Sequence, residues 1–288
     1  MLSRTLLRPM AVEDVPTVAA LAAGRGYVAT ESALARHLQD PDGAGFVVEH
    51  NGAIVGVITV SLHLDYALLG PLVLAPSHQG AGLDLHLVRR AFSTLARRGV
   101  RTVEAEVSPE VLPVYRVLGF VPVEETIVLA GHTLTAAPKG PSVRRAEAHD
   151  LLDVGQLDAD TFGYGRKGLF LSLLEDVPQG AHVARRGADG VDGFVFASRG
   201  SPGWSLGPWI VARGAESAAA PLLDAALTSL EPGEVTVRVP ASAAAALKLL
   251  QERGFREVAR LGRVRFGEPR SDLENLQGEL ARGTGPIY

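Results

Sequence analysis

Apolar residues recur along this chain with two periods, one typical of amphipathic helices and one typical of half-buried strands. In the first half, the helical period predicts helices over about 12–23, 31–39 and 82–98, and a short helix around Tyr115. The strand period predicts a short strand ending near Pro9 and strands over 46–49, 54–62, 68–74, 102–107 and 120–129. Asn51-Gly52, between two β-branched runs, is the strongest hairpin signal in the sequence.

The second half predicts the same order of elements. Its helices are expected over about 150–160, 167–175, 215–230 and 243–252, and its strands within a hairpin over 181–197 and over 204–211, 235–239 and 257–266. The tail after Glu268 mixes charge, Gly and Pro and carries no prediction. In each half the order predicts a mixed, largely antiparallel sheet flanked by helices, an α/β (α+β mixed) fold.

The two halves also share matching sequence signatures, which indicates an internal repeat. Arg8, Gly56, Gly70-Pro71 and Gly119-Phe120 have counterparts 135–137 positions later in Arg144, Gly193, Gly207-Pro208 and Gly254-Phe255. We therefore predict two domains, 1–135 and 142–268, followed by a tail over 269–288. Pro138, Gly140 and Pro141 supply the residues of a linker between them.

Composition narrows the chemistry. The 288 residues include no cysteine, which excludes disulfides, thiolate metal sites and cysteine nucleophiles. No histidine pair has metal-ligand spacing, so no metal is expected. The net charge of −4, without a basic stripe, argues against nucleic acid as a ligand. No run of 18 apolar residues and no signal peptide is evident, so we expect a cytoplasmic protein that does not bind membranes.

A glycine-rich turn follows the predicted strand over 68–74. It reads Gln79-Gly80-Ala81-Gly82-Leu83-Asp84 and leads into the helix over 82–98. Successive backbone N–H groups at such a turn form a concave anion site, and the helix dipole adds partial positive charge. Glycine permits the unusual dihedral angles and lets a phosphate approach the bare backbone. The turn therefore predicts a phosphate-binding loop.

The segment GPLVLAPSHQGAGLDLHLVRRAF, over 70–92, resembles the acetyl-CoA-binding motif of the GNAT superfamily of N-acetyltransferases. The resemblance implies a GNAT fold in each half and acetyl-CoA as the co-substrate of the first. It implies that the coenzyme contacts Leu72, Leu74, Gln79, Gly80, Ala81, Gly82, Leu83 and Asp84. The last motif position is normally Gly or Ala, and Asp84 departs from it. A carboxylate about 5 Å from a phosphate costs on the order of 3 kcal/mol at an effective dielectric near 20.

The sequence VYRVLGF, over 114–120, resembles a second GNAT signature. The resemblance implies that Tyr115 is the general acid that protonates the departing thiolate. The alternative is a tyrosine that only packs its ring on the sheet. The general base is open among His63, Asp65, Glu104 and Glu106, of which we select Asp65 and Glu106. The alternative for each of them is an ordinary solvated residue without a catalytic role.

The second half resembles the divergent C-terminal acetyltransferase-like domain of tandem bacterial GNAT proteins. Its counterpart of the glycine-rich turn, over 213–218, keeps one glycine and contains Glu216, so we predict no CoA site there. Phe162, Arg166 and Trp209 are predicted to line the acceptor site, with Arg166 pairing with a substrate carboxylate. The alternatives are an ordinary ion pair for Arg166 and a core position for Trp209.

Together these features predict an N-acetyltransferase that moves an acetyl group from acetyl-CoA to the primary amine of a small molecule, with an amino-acid-like acceptor as one candidate. The rival hypothesis is a catalytically degenerate GNAT-fold protein that senses acyl-CoA or another small ligand, or acts as a scaffold. Asp84 and the open choice of base motivate the rival. A homodimer is compatible with the sequence.

Overall fold

The computed structural model describes residues 5–24, 30–70, 72–136, 143–162, 166–185, 190–200, 203–268 and 279–281. The described residues divide into two compact units. Unit 1 contains the described residues up to Glu124 and those over 261–268, and unit 2 contains those over 125–260 and 279–281. Most of the predicted linker and tail lies outside the described residues.

The described residues of the first half form eleven helices and strands. They are β1 (Thr5–Pro9), α1 (Val15–Ala23), α2 (Glu31–Gln39), β2 (Gly43–His50), β3 (Ala53–His63), β4 (Tyr66–Leu69), β5 (Val73–Leu74), α3 (Leu83–Arg97), β6 (Thr102–Val107), α4 (Leu112–Val117) and β7 (Val121–His132). The strand predicted over 68–74 is interrupted at Gly70, so it forms β4 and β5 instead. That interruption shapes the site described below.

The second half follows the same order. It contains β8 (Val143–Arg145), α5 (Leu151–Phe162), α6 (Lys167–Asp176), β9 (His182–Arg185), β10 (Val191–Arg199), β11 (Trp204–Val211), α7 (Ala219–Ser229), β12 (Glu234–Pro240), α8 (Ala244–Glu252), β13 (Arg256–Phe266) and β14 (Glu279–Ala281). The strand β14 falls in the tail that carried no prediction.

The sheet of unit 1 has the strand order β1-β2-β3-β4-β6-β13, and β5 pairs with β3. Only the β4–β6 pair is parallel. Helix α3 buries its apolar stripe of Leu87, Val88, Ala91 and Leu95 against one face of this sheet. Helices α1 and α2 pack Val18 and Leu34 on the other face. The predicted mixed, largely antiparallel sheet flanked by helices is therefore confirmed.

The sheet of unit 2 has the order β8-β9-β10-β11-β12-β7, and β14 pairs with the other edge of β11. Again one central pair, β11–β12, is parallel. Helix α7 buries Leu222, Leu223, Ala226 and Leu227 in the core of this unit. The architecture repeats that of unit 1.

The last strand of each sheet differs from the sequence prediction, which assigned 120–129 to the first domain and 257–266 to the second. In the structure, Thr126–His132 of β7 pairs with β12, whereas Gly262–Phe266 of β13 pairs with β6. Each unit therefore takes a strand from the other half of the sequence, and the compact units meet along the chain at Glu124–Glu125 rather than near residue 135.

The repeated glycines have a common structural cause. Gly56 pairs with Leu74, and Gly193 pairs with Val211 at the equivalent place in unit 2. A Cβ at Gly56 would lie 3.2 Å from Leu87 of α3, and one at Gly193 would lie 3.0 Å from Leu222 of α7. Glycine is needed at both positions because neighbouring strand atoms come closer still, the Leu74 side chain to a Cβ at Gly56 and the carbonyl oxygen of Ile210, at 2.7 Å, to one at Gly193.

The repeated arginines tie the first strand of each unit to the next turn. Arg8 Nη1 lies 2.6 Å from Asp14 Oδ2, and Arg144 Nη1 lies 2.7 Å from Asp150 Oδ2. Both carboxylates also accept a backbone N–H three residues earlier in the chain. The bonds from Arg8 hold the pKa of Asp14 below its usual value. These pairs explain why the two arginines recur in the sequence.

None of the helices in the described part of the chain has both the length and the apolar composition that crossing a bilayer would require.

Candidate functional site

A break in strand pairing creates an opening in the sheet of unit 1. Strands β4 and β6 pair in parallel from Tyr66 and Thr102 up to Leu69 and Ala105. Beyond Leu69 the chain leaves β6, and β5 pairs only with β3 among the described residues. The glycine-rich turn and the start of α3 follow β5 directly. The opening therefore brings a free strand edge and a helix N-terminus into one region.

The backbone of β5 alternates between its two edges. The N–H of Ala75 donates to the carbonyl of Val55 on β3 at 2.8 Å, and Val73 pairs with Val57. Because hydrogen-bonded positions alternate in an antiparallel pair, Val73 and Ala75 face β3, and the polar backbone groups of Leu72 and Leu74 face the opening. These are the two strand residues predicted to contact the coenzyme.

The turn between β5 and α3 has the conformation that its glycines predict. Gly80 and Gly82 both have φ of +74°, and a Cβ at either would have no heavy atom within 4 Å. Glycine is therefore required by the dihedral angle, and the space beside the backbone is open. Gln79, Gly80 and Ala81 are exposed, whereas Leu83 points into the core.

Five consecutive backbone N–H groups line this turn, those of Gly80, Ala81, Gly82, Leu83 and Asp84. Within the described part of the chain, none of them donates a hydrogen bond. The first turn of a helix leaves such donors unpaired, and their dipoles favour an anion. These N–H groups are therefore available to an anion, and phosphate binding at this turn stays a prediction.

Asp84 lies at this same helix start. Its Oδ1 accepts the N–H of the next residue, Leu85, at 2.8 Å, so the half-buried carboxylate lies against the backbone of the first turn of α3. A negative charge here stabilises the helix when no anion is bound and opposes an incoming phosphate. The conflict inferred from the sequence therefore has a structural counterpart.

Tyr115 is located on α4 and is 1% exposed. It belongs to the same apolar cluster as Leu87 and Ala91 of α3, and its ring centroid lies 5.0 Å from that of Phe120. It is therefore on the face of the sheet that α3 covers. The general-acid role of Tyr115 stays a prediction.

The acidic residues of β6 divide into two environments. Glu104 is 3% exposed, and its Oε2 accepts from the Tyr66 hydroxyl at 2.9 Å and from Arg263 Nε at 2.6 Å. Glu106 is half-buried and is the first acid beyond the last β4–β6 pair, which places it at the opening. Of the two, Glu106 is the better placed to meet an acceptor.

Asp65 lies at the opposite end of β4. It is exposed in the turn before Tyr66, and its carbonyl accepts the N–H groups of Arg101 and Thr102. Four residues of strand, about 13 Å, separate it from the opening after Leu69. The structure therefore does not bring Asp65 together with Glu106 and the glycine-rich turn.

Arg263 lies beside the candidate site, and the sequence did not indicate that it would. It is 7% exposed, lies opposite Glu106 in the β6–β13 register and bonds to Glu104 one step away on the same face. Its sequence position, 159 residues after Glu104, gives no local signal of this contact. The contact between Arg263 and Glu104 becomes predictable only once β13 is known to pair with β6.

The predicted acceptor residues of unit 2 have partners inside that unit. Arg166 Nη2 lies 2.5 Å from Oδ1 of the fully buried Asp158, and its guanidinium carbon lies 4.1 Å from the ring centroid of Phe162. Asp158 therefore binds the guanidinium group of Arg166 that was predicted to bind a substrate carboxylate. Trp209 is fully buried in the core, and its Nε1 has no hydrogen-bond partner in the described part of the chain.

No three His, Asp or Glu side chains of the described residues gather as metal ligands.

Comparison with known proteins gives both halves the same description. Residues 15–136 match one family described as an acetyltransferase (GNAT) domain, and residues 154–277 match a second family so described. A Pseudoalteromonas protein named holothin acyltransferase is 28% identical over 237 residues, which are 81% of this chain and 77% of that protein.

Two solved structures support the fold. One is a putative acetyltransferase from Pyrococcus horikoshii, with a TM-score of 0.79 and 17% identity over 98% of this chain and 95% of its own. The other is a tandem GNAT protein from the clavulanic acid biosynthesis pathway, with a TM-score of 0.66 and 16% identity over 93% and 100% of the two chains.

Proposed function

Because this chain is an acyltransferase of the GNAT superfamily with two GNAT domains in tandem, we propose that unit 1 moves an acetyl group from acetyl-CoA to the primary amine of a small molecule. The row of five unpaired N–H groups over Gly80–Asp84 carries this proposal. A diphosphate is the class of ligand that suits such a row, because unpaired N–H groups and the dipole at a helix N-terminus both favour phosphate oxygens.

The open edge of β5 supports the same ligand. The backbone groups of Leu72 and Leu74 can pair with an extended amide chain that runs from the glycine-rich turn towards the opening. This extended amide chain would end near Leu69 and Ala105, where the pairing between β4 and β6 stops. The residues present therefore fit acetyl-CoA, whose thioester supplies the activated acetyl group.

The proposed mechanism is positioning combined with proton transfer. The acceptor amine must be neutral to attack the thioester carbon, and Glu106 at the opening takes its proton, directly or through water. The C–N bond forms as the C–S bond breaks, and Tyr115 donates a proton to the leaving sulfur. Holding both reactants in one site lowers the barrier, because the entropy of bringing them together is lost on binding.

The acceptor is proposed only by class. The similarity to a protein named holothin acyltransferase supports acyl transfer. With Arg166 paired to Asp158, no support remains for a substrate carboxylate at that position. We therefore propose a small primary amine, without requiring an amino acid.

Replacing Tyr115 by phenylalanine is expected to lower turnover at least tenfold while acetyl-CoA affinity is retained, because only the proton donor is lost. Thiol release from acetyl-CoA, measured across a panel of primary amines, gives turnover, and calorimetry gives affinity. Tyr66→Phe is the matched control, since it removes another buried tyrosine hydroxyl, which bonds to Glu104. Equal turnover in wild type and Tyr115→Phe would remove Tyr115 from the mechanism.

A further inference from the structure

We propose that the opening in the sheet of unit 2 is a groove for an extended peptide segment, and that its occupant is the chain's own segment Glu279–Ala281. This inference goes beyond the proposed function, because it assigns a binding role to the unit for which no acetyl-CoA site is expected. It rests on the structural equivalence of the two openings and on what lies beside each.

The openings of the two units are equivalent position by position. Leu72, Val73 and Leu74 correspond to Trp209, Ile210 and Val211, each 137 positions later. The equivalence is also structural, since Leu74 pairs with Gly56 and Val211 pairs with Gly193. In both units a parallel strand pair ends just before this segment, at Leu69 in unit 1 and at Leu206 in unit 2.

The two openings differ in what lies along the free edge. In unit 1, no described strand pairs with the edge of β5 that faces away from β3. In unit 2, β11 pairs with β10 on one edge and with β14 on the other, where Trp209 is opposite Ala281 and Ile210 is opposite Glu279. The strand β14 also contacts β12 and α8. It therefore lies within the opening rather than at an outer edge of the sheet.

In the turn of unit 2 that corresponds to the glycine-rich turn of unit 1, a side chain of the protein itself accepts the backbone N–H. Gly214 has φ of +84° and corresponds to Gly80 of unit 1, but its N–H donates to Glu216 Oε1 at 2.9 Å. That bond lowers the pKa of the Glu216 carboxyl below its usual value. A carboxylate of the chain thus occupies the place of a phosphate, which leaves the strand edge as the remaining binding feature of this opening.

Backbone pairing determines the chemical class of the occupant. An edge of β11 with alternating N–H and C=O groups accepts an extended polypeptide by strand addition, and the main chain supplies the hydrogen bonds. The buried Trp209 and Ile210 flank this edge, so a strand laid there also shields them from water. The tail of the chain is the occupant because it is covalently part of the same molecule, which raises its effective concentration above that of a separate peptide.

Hydrogen exchange on a chain truncated after Glu268 tests this proposal. We expect exchange of the backbone amides of Trp209 and Val211, which face away from β10, to accelerate at least tenfold, while that of Val73 and Leu74 stays unchanged. A synthetic peptide of residues 269–288 should bind the truncated chain saturably and restore protection, whereas a scrambled peptide should not. The full-length chain should not bind the peptide, because its groove is filled.

A second variant keeps the chain full-length. Leu280→Pro places a proline ring in the middle of β14 and should accelerate exchange at Trp209 and Val211, whereas Glu279→Ala leaves the backbone unchanged and should not. The proposal is overturned if neither truncation nor Leu280→Pro changes exchange at Trp209 and Val211. It is equally overturned if the peptide binds the full-length and the truncated chain with the same affinity.

Discussion

Asp84→Gly is expected to tighten acetyl-CoA binding about a hundredfold. In the folded chain the Asp84 carboxylate accepts the N–H of Leu85 at the start of α3, next to the row of unpaired donors. A phosphate bound to that row would lie about 5 Å from the carboxylate, and the repulsion at an effective dielectric near 20 is on the order of 3 kcal/mol. Removing the charge removes this cost and frees one more N–H for the ligand.

Calorimetry with acetyl-CoA on wild type and variant measures this effect. Glu31→Gln is the matched control, because it removes one acidic charge from the first turn of another helix of unit 1, α2. Its affinity for acetyl-CoA should equal that of the wild type. An Asp84→Gly affinity within threefold of wild type would mean that the carboxylate does not face the bound diphosphate.

The second large effect concerns stability. Glu104→Gln is expected to lower the free energy of unfolding by about 3 kcal/mol, because it removes the nearest carboxylate from the buried guanidinium of Arg263 and leaves Glu124, 3.8 Å away, as a weaker ionic partner. The Tyr66 hydroxyl loses a charged acceptor at the same time. Urea unfolding monitored by circular dichroism gives the value.

The double variant Glu104→Gln/Arg263→Met distinguishes two causes of the lost stability, the loss of the attraction between the two side chains and the cost of a buried charge that has lost its nearest partner. We expect it to recover much of the stability, since no buried guanidinium is then left beside a neutral side chain. Glu257→Gln, which breaks the exposed pair with Arg260, should change little. A loss for Glu104→Gln as small as that for Glu257→Gln would contradict the buried-pair account.

Helices and strands were predictable where local pattern determines them. The stripe of α3, with Leu87, Val88, Ala91 and Leu95, needs only helical periodicity and a sheet to cover. The turn at Gly80 and Gly82 was predictable because two glycines before an amphipathic helix favour positive φ. Local chemistry was sufficient to predict the backbone conformation of the glycine-rich turn.

The exchange of β7 and β13 was not predictable from local pattern. Because the halves are repeats, the last strand of either has the alternation that suits β6 or β12 equally well. Which strand pairs where depends on long-range packing, such as the bond between Arg263 and Glu104. No single segment of sequence contains that information.

Partner choice also limited the side-chain predictions. Arg166 is predictable as an anion-binding residue, but its type does not say whether the anion is a substrate or Asp158, eight residues away. Asp65 and Glu106 look alike in sequence, and only the pairing of β4 with β6 separates the closed end from the open end of the strands. Spatial order, rather than residue type, distinguishes these candidates.

The claim that the N–H row of unit 1 binds acetyl-CoA is tested most directly by titrating wild type, Gly82→Ala and Gly99→Ala with the coenzyme. Gly82 and Gly99 flank the two ends of α3 with φ of +74° and +76°, and a Cβ at either meets no atom within 4 Å, so the conformational cost is matched. We predict one equivalent bound by wild type and by Gly99→Ala, and at least tenfold weaker binding by Gly82→Ala. Equal affinities in all three proteins, or no binding by any, would contradict the account.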